Sequence, residues 1–332
     1  MREHAHSGAS SAALRLRSAT AIVSILALSL VMAFVPPAQA QQVSVVVSFD
    51  PAAGQLPEGL TTDNRGNFYV SFVAPLSQIL EIRPDGSESV VANLGFGGLG
   101  PLGLATDASG HVYVCASTFD PATRGIYRLS ADGSATRLPG TGSILFPNGM
   151  AFDRQGNLYV ADSIGGAVWK VPRGGSAELW AQSPLLEGTG ALNLGFPIGA
   201  NGIAMRGHSF VVTNTEQGQL VRIPVQRDGS AGDPTLLLND PALFGADGLA
   251  IDAFGRIDVA VIVQSTIVQV DGDSIRTIAD ATDGINQASS LAFGTGADDH
   301  LSLYAVNFGV FSSAPTPALL QIQVGVPGRP LP

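Results

Sequence analysis

Apolar and polar positions alternate along this chain in short runs, punctuated by Gly, Pro, Asn and Asp, and the runs return in one order. The stretch from Pro57 to Val70 (PEGLTTDNRGNFYV) comes back from Pro101 to Val114 (PLGLATDASGHVYV) and from Pro147 to Val160 (PNGMAFDRQGNLYV). Weaker copies open at Ala200-Asn201-Gly202, at Ala246-Asp247-Gly248 and at Ala288-Ser289-Ser290. The second residue of each copy falls at 58, 102, 148, 201, 247 and 289, with steps of 44, 46, 53, 46 and 42. A period of this length, filled with short alternating runs, predicts an all-β, six-bladed β-propeller with one blade per repeat.

Each copy predicts four antiparallel strands. In the first, an inner strand runs near Leu60, a turn falls at Asn64-Arg65-Gly66, and further strands span Phe68 to Phe72 and Gln78 to Ile82. A Pro84-Asp85-Gly86 turn then leads to a fourth strand near Val90. The sixth copy supplies only three, at Leu291 to Phe293, Leu301 to Val306 and Leu319 to Val324, before a proline-rich tail over 326–332. The alternating run Val43 to Phe49 precedes the first blade and is expected to complete the sixth, closing the ring and removing two open sheet edges.

Residues 1–40 read differently. Arg15 and Arg17 precede an apolar run from Ala19 to Val35, followed by Ala38-Gln39-Ala40, the pattern of a secretory signal peptide with its small-residue cleavage site. Cleavage there leaves one propeller domain over 41–325 and the tail, in a secreted or periplasmic protein expected to be a monomer. The leader carries three arginines against one glutamate, so its removal takes the formal charge from −10 to −12. An acidic chain without a basic run argues against nucleic acid or an anionic membrane as partner and suits a cation and a small-molecule substrate. Cys115 is the single cysteine, so no disulfide framework is available; it reads as a small buried hydrophobe in the second strand of blade two.

The candidate chemistry sits at the repeat's second position. Glu58, Asn148, Asn201 and Asp247 each stand directly before a glycine that opens an inner strand. Asn-Gly and Asp-Gly alone are common turn dipeptides. Radial repetition, however, brings equivalent positions to one axis, and four oxygen-bearing side chains there are costly to bury unless something satisfies them. Two carboxylates and two amide carbonyls form a hard-oxygen set suited to Ca2+, with Mg2+ as the alternative. His111, His208 and His300 fall in the turns at the far end of the inner strands and are expected to face solvent there. Asp63, Asp107, Asp153 and Asp252 form a second series, each three residues before a glycine, a setting in which aspartate bonds its own turn. Gly95, Gly97, Gly98 and Gly100 match a Gly-x-Gly-x-x-Gly spacing but precede a strand rather than a phosphate-capping helix. Trp169 and Trp180 read as packing between blades.

The order Glu58, Asn148, Asn201, Asp247, with Pro147-Asn148-Gly149 and Ala246-Asp247-Gly248, resembles the gluconolactonase and senescence marker protein (regucalcin) family and the wider calcium-dependent phosphotriesterase superfamily. The resemblance runs from about Gln42 to Val324. It implies that Glu58, Asn201 and Asp247 anchor a metal, that Asn148 binds metal or substrate, and that Asp247 is also the base or nucleophile; if its oxygen is not on the metal, Asn148 is expected to be catalytic too, donating from its amide nitrogen to the developing oxyanion. Two departures bear on substrate. Phe146 stands where many sugar-lactone hydrolases carry arginine, and Phe146, Phe196, Ile198 and Phe244 lie in loops leading into inner strands, so an apolar rim and an apolar lactone, ester or phosphotriester are expected. The long segment from Pro184 to Ala200 reads as a lid or a connector. The competing reading is a non-enzymatic propeller in which the same residues hold a structural ion and the loops contact a partner. A lyase of the strictosidine synthase type predicts loss of the metal-binding set, which is retained here.

Overall fold

The computed structural model describes residues 42–330. The signal-peptide reading of 1–40 falls outside them. Six four-stranded antiparallel sheets follow one another around the ring, five of them each built from one sequence repeat and the sixth from the last repeat and the first strand. In blade one the strands are Pro57–Thr62, Phe68–Phe72, Gln78–Ile82 and Glu88–Asn93. The six inner strands pack side by side around the axis, and the first contacts the last, so the ring is closed. Closure is made by the segment that the alternation singled out: Val43–Ser48 pairs antiparallel with Ala318–Gln323 as the outer strand of blade six, with Val43 opposite Ile322 and Ser48 opposite Ala318. Among the described residues no helix is long and apolar enough to cross a membrane.

The glycine after each candidate residue is explained by crowding at the axis. A Cβ placed on Gly59, Gly103, Gly149, Gly202 or Gly248 would lie closer than 3.0 Å to the carbonyl oxygen of Leu102, Asn148, Asn201, Asp247 or Ser289 respectively, in the next blade. Only glycine lets neighbouring inner strands approach this closely. Blade six carries Ser290 instead, and its hydroxyl accepts a hydrogen bond from Leu60 N at 3.2 Å. The ladder slips its register at this point in every blade, as between Pro57 and Leu60 or Ala246 and Leu249. Bulges of this kind re-aim side chains at strand ends.

Between blades the core is apolar and close-packed. Trp180 meets Tyr159 edge-on at 4.8 Å, Tyr159 lies 4.2 Å from Phe210 of blade four, and the Trp180 indole donates to Gly229 O at 3.0 Å. At the turn end the aspartate series behaves as its spacing implies. Asp153 accepts from Gln155 N, Asn157 N and the Asn157 amide at 2.8–2.9 Å, and from the Tyr159 hydroxyl at 3.3 Å. Asp63 and Asp107 repeat the arrangement with Tyr69 and Tyr113, while Asp252 takes Arg256 in place of tyrosine. The proline-rich tail is strapped to blade five as far as residue 330: Ala253 N donates to Pro327 O, Arg329 N donates to Ile251 O, and Gly328 bridges Asp252.

Candidate functional site

Glu58, Asn148, Asn201 and Asp247 all stand at the second position of an inner strand, and all are buried, with 7, 7, 5 and 7% of their surface exposed. Leu102 and Ser289 hold the other two places in the ring. Glu58 stands on the inner strand of blade one and Asp247 on that of blade five, with blade six between them, yet near enough for the charge of one to act on the other. Burial pushes the Glu58 carboxyl well above the usual range, and the Asp247 charge raises it further. Burial likewise pushes Asp247 up to about 8, and the Asn201 amide against it offsets part of that shift. Among the described residues no hydrogen-bond donor relieves Glu58.

The two amides are held so that their oxygens stay free. Thr215 Oγ1 donates to Ala246 O at 2.7 Å, so it accepts from Asn201 Nδ2 at 3.0 Å, which leaves the Asn201 carbonyl oxygen without a claim on it. Asn148 Nδ2 sits 3.5 Å from Ser163 Oγ in the corresponding place of blade three. A second row of side chains stitches the ring from the strands behind. Ser71 Oγ donates to Leu102 O, Cys115 Sγ to Asn148 O and Thr213 Oγ1 to Asp247 O, at 2.7, 2.7 and 2.8 Å. Cys115 thus occupies a hydroxyl position rather than serving only as a small hydrophobe; burial and the Glu58 charge push its thiol up.

These braces were not anticipated from the sequence. Their signal was present in Cys115-x-Ser117 and Thr213-x-Thr215, pairs at one repeat offset where the second strands end.

The donor chemistry fits a hard divalent cation: two carboxylates without compensating positive charge and two amide oxygens held free, on one axis. Among the described residues no group of three or more His, Cys, Asp or Glu comes together, so an ion held here would take amide oxygens beside the two carboxylates. His111 is exposed beside Asp107, and His208 and His300 are exposed at the opposite mouth of the channel.

An apolar cluster lies beside Leu102 at this end of the inner strands. Leu102, itself a member of the ring, packs with Val73, Phe146 and Ile198, and Phe196 and Phe308 lean on this cluster. Phe119, Phe146 and Phe196 form a triangle with centroids 5.4–5.9 Å apart, and Phe119 is 54% exposed. Phe244 is half-buried and outside this cluster, so three of the four rim residues read from the sequence are brought together there. The segment between blades three and four is pinned over its length. The Glu216 carboxylate accepts from Thr189 N, Gly190 N and Leu192 N at 2.5–3.1 Å, and Pro184–Leu186 forms a short 3-10 helix capped by Ser183.

Fold and site together define a closed six-bladed propeller whose inner strands carry Glu58, Asn148, Asn201 and Asp247 at one repeated, buried position. A protein-family profile described as Beta-propeller repeat matches residues 135–161. No curated protein sequence matches the chain. Among solved structures, a regucalcin described as a calcium-binding protein, from Agrobacterium tumefaciens, is similar at a TM-score of 0.65 and 18% identity, over 89% of this chain and 96% of that one. A gluconolactonase from Xanthomonas campestris is similar at 0.63 and 18%, over 86% and 90%. A virginiamycin B lyase from Staphylococcus aureus is similar at 0.56 and 15%, over 84% and 87%. At these identities the likeness establishes the propeller.

Proposed function

We propose that the protein is a divalent-cation-dependent hydrolase of the lactonase or esterase type acting on an apolar lactone, ester or phosphotriester, secreted or periplasmic after loss of residues 1–40. The observation that carries this reading is the pairing of two buried, uncompensated carboxylates, Glu58 and Asp247, with two amides whose oxygens are left free. The gluconolactonase and regucalcin likenesses support it, and the lyase likeness makes a test of turnover necessary.

Glu58, Asn148, Asn201 and Asp247 would hold the ion, calcium by donor type with magnesium as the alternative. When bound, it supplies Lewis-acid polarisation of the substrate carbonyl or phosphoryl oxygen. Asp247 is the base that takes a proton from the attacking water, or the nucleophile itself. Asn148 directs its nitrogen toward Ser163, which favours its oxygen as a ligand over its amide as an oxyanion donor. Leu102, Phe146 and Phe196 exclude water beside the cage and seat an apolar acyl or leaving group.

Calcium titration calorimetry on residues 41–332, wild type beside Glu58→Gln and Asp247→Asn, run with a lactone and aryl-ester panel, tests the reading. One ion per chain, lost in both variants, together with calcium-dependent hydrolysis, is the expected result. Asp247→Ala should lower turnover by about three orders of magnitude, in the range for loss of a general base. Stoichiometric binding without turnover of any substrate would leave a structural ion, and full activity in Asp247→Ala would remove that residue from the mechanism.

A further inference from the structure

The other end of the same channel opens into a cavity of about 1040 Å³. Its wall is mostly apolar, with Leu60, Leu104, Met150, Ile203, Leu291 and Phe293 from five of the six inner strands, and Thr61, Thr62 and Thr106 among them. Its mouth has one charge sign. The titratable side chains lining it are Arg154, His208, His300 and Arg329, and no Asp or Glu is among them, in a chain with 27 acidic and 17 basic residues. The turn aspartates nearest the mouth are committed elsewhere: Asp153 to its own turn and Asp252 to Arg256.

Two guanidinium groups meet at this end of the propeller. The guanidinium of Arg329 and that of Arg206 both reach within 4 Å of the point where a Cβ of Gly255 would stand. Neither these two nor Arg154 enters a salt bridge among the described residues. Like charges held this close without a counter-charge cost free energy unless an anion joins them. Arg329 is placed deliberately. The strap over Val326 to Pro330 is fixed by two backbone hydrogen bonds to blade five, and Gly328 presses so closely on the Phe293 ring that a Cβ there would overlap it. Net charge read from the sequence gave no sign of this local cluster.

We propose that this mouth is a second binding site, for an amphipathic organic carboxylate whose apolar body enters the channel and whose headgroup meets Arg154 and Arg329. The cavity is at the upper end of the range that buries small organic ligands, and an apolar wall with a few converging polar groups is their usual setting. Guanidinium forks match carboxylates bidentately, which selects an anion over an alcohol of the same chain length.

Titration calorimetry of residues 41–332 with octanoate and with octanol tests this. Octanoate should bind at least tenfold more tightly than octanol. The paired substitution Arg154→Ala with Arg329→Ala should weaken octanoate at least tenfold, Arg154→Lys with Arg329→Lys should retain most of the binding, and Glu58→Gln should leave it unchanged. Both arginine pairs are to be checked for a wild-type unfolding midpoint, so that lost binding is not lost fold. Equal affinity for octanol, octanoate binding that survives the alanine pair, loss of binding in Glu58→Gln, or no octanoate binding at all would each overturn the proposal.

Discussion

Two sets of repeated acidic residues lie at opposite ends of the same inner strands, and they are buried to a similar degree yet treated in opposite ways. At the turn end, Asp63 and Asp252 are as hidden as Glu58 and Asp247, but each collects hydrogen bonds from its own turn and from a Tyr or Arg side chain. At the cage end the protein offers Glu58 no donor and offers Asp247 only part of the Asn201 amide. Burial therefore does not distinguish structural from functional carboxylates in this fold. Satisfaction does, because a polar group the chain itself leaves unpaired is either a defect or a place for something that binds.

That contrast predicts opposite signs for the two sets. Asp153→Ala removes the acceptor of three close hydrogen bonds and orphans their donors, and should cost about 2–4 kcal/mol in urea unfolding at about 1 kcal/mol per bond. Ion affinity should not change. Glu58→Gln, measured without added cation at pH 8, should be neutral or stabilising by about 1–2 kcal/mol, because it removes a buried charge that faces another and trades function for stability. A Glu58→Gln chain as destabilised as Asp153→Ala would mean that Glu58 is satisfied by the protein after all, and the comparison would collapse.

How far the sequence revealed this follows from where the information sits. Period and alternation are properties of the repeat, so the six blades, the strands Phe68–Phe72 and Gln78–Ile82, a closing strand opening at Val43 and the shared place of Glu58, Asn148, Asn201 and Asp247 at the second position of an inner strand were readable at once. Features that break the repeat were not. Phe119 stands in the loop between the second and third strands, whose length varies from blade to blade, and Thr215 and Ser163 brace the amides from just past the second strands of their blades. Phe244 leads into an inner strand as Phe146 does, yet a shared place in the repeat does not give its loop the same direction, and it stays outside the aromatic entrance. The glycines at the cage were legible as residues but not as causes: Asn-Gly and Asp-Gly look like turns, whereas their reason is the carbonyl of the adjoining blade. The prolines and glycine of the final segment read as a tail, although its backbone is bonded to blade five.

A cation should sharpen the difference between the ends in a pH-dependent way. Asp247 in the folded chain is raised above its unfolded value to about 8, and Glu58 is raised as well. In the absence of an ion the folded state thus holds more protons than the unfolded one, and stability falls as pH rises from the ordinary carboxylate range toward 8. Ligation needs the ionised forms, so calcium affinity climbs over the same interval. Thermal unfolding with and without calcium should show a gap that widens from pH 5 to pH 8, reaching about 2.7 kcal/mol where free calcium is a hundredfold above its dissociation constant. A gap independent of pH would place the ion on groups other than these two carboxylates.

Asp258 provides the intermediate case and the smallest effect. It lies on the second strand of blade five, fully enclosed, with one carboxylate oxygen accepting from Gln269 Nε2 at 2.9 Å and the other without a partner. Burial raises it from 3.8 to about 6, with the Gln269 bond pulling the other way. Because its folded value exceeds its unfolded one, Asp258 lowers stability progressively as pH rises from about 4 to 6 and then contributes a constant cost. Asp258→Asn retains an acceptor for Gln269 and carries no charge, so it should be more stable than wild type above pH 6 by up to about 1–2 kcal/mol and equal to it near pH 4. The unfolding midpoint measured at both pH values checks this. An equal gain at both would mean that packing, rather than the half-satisfied charge, sets the cost, and partial satisfaction would then lose its place between the turn aspartates and the cage.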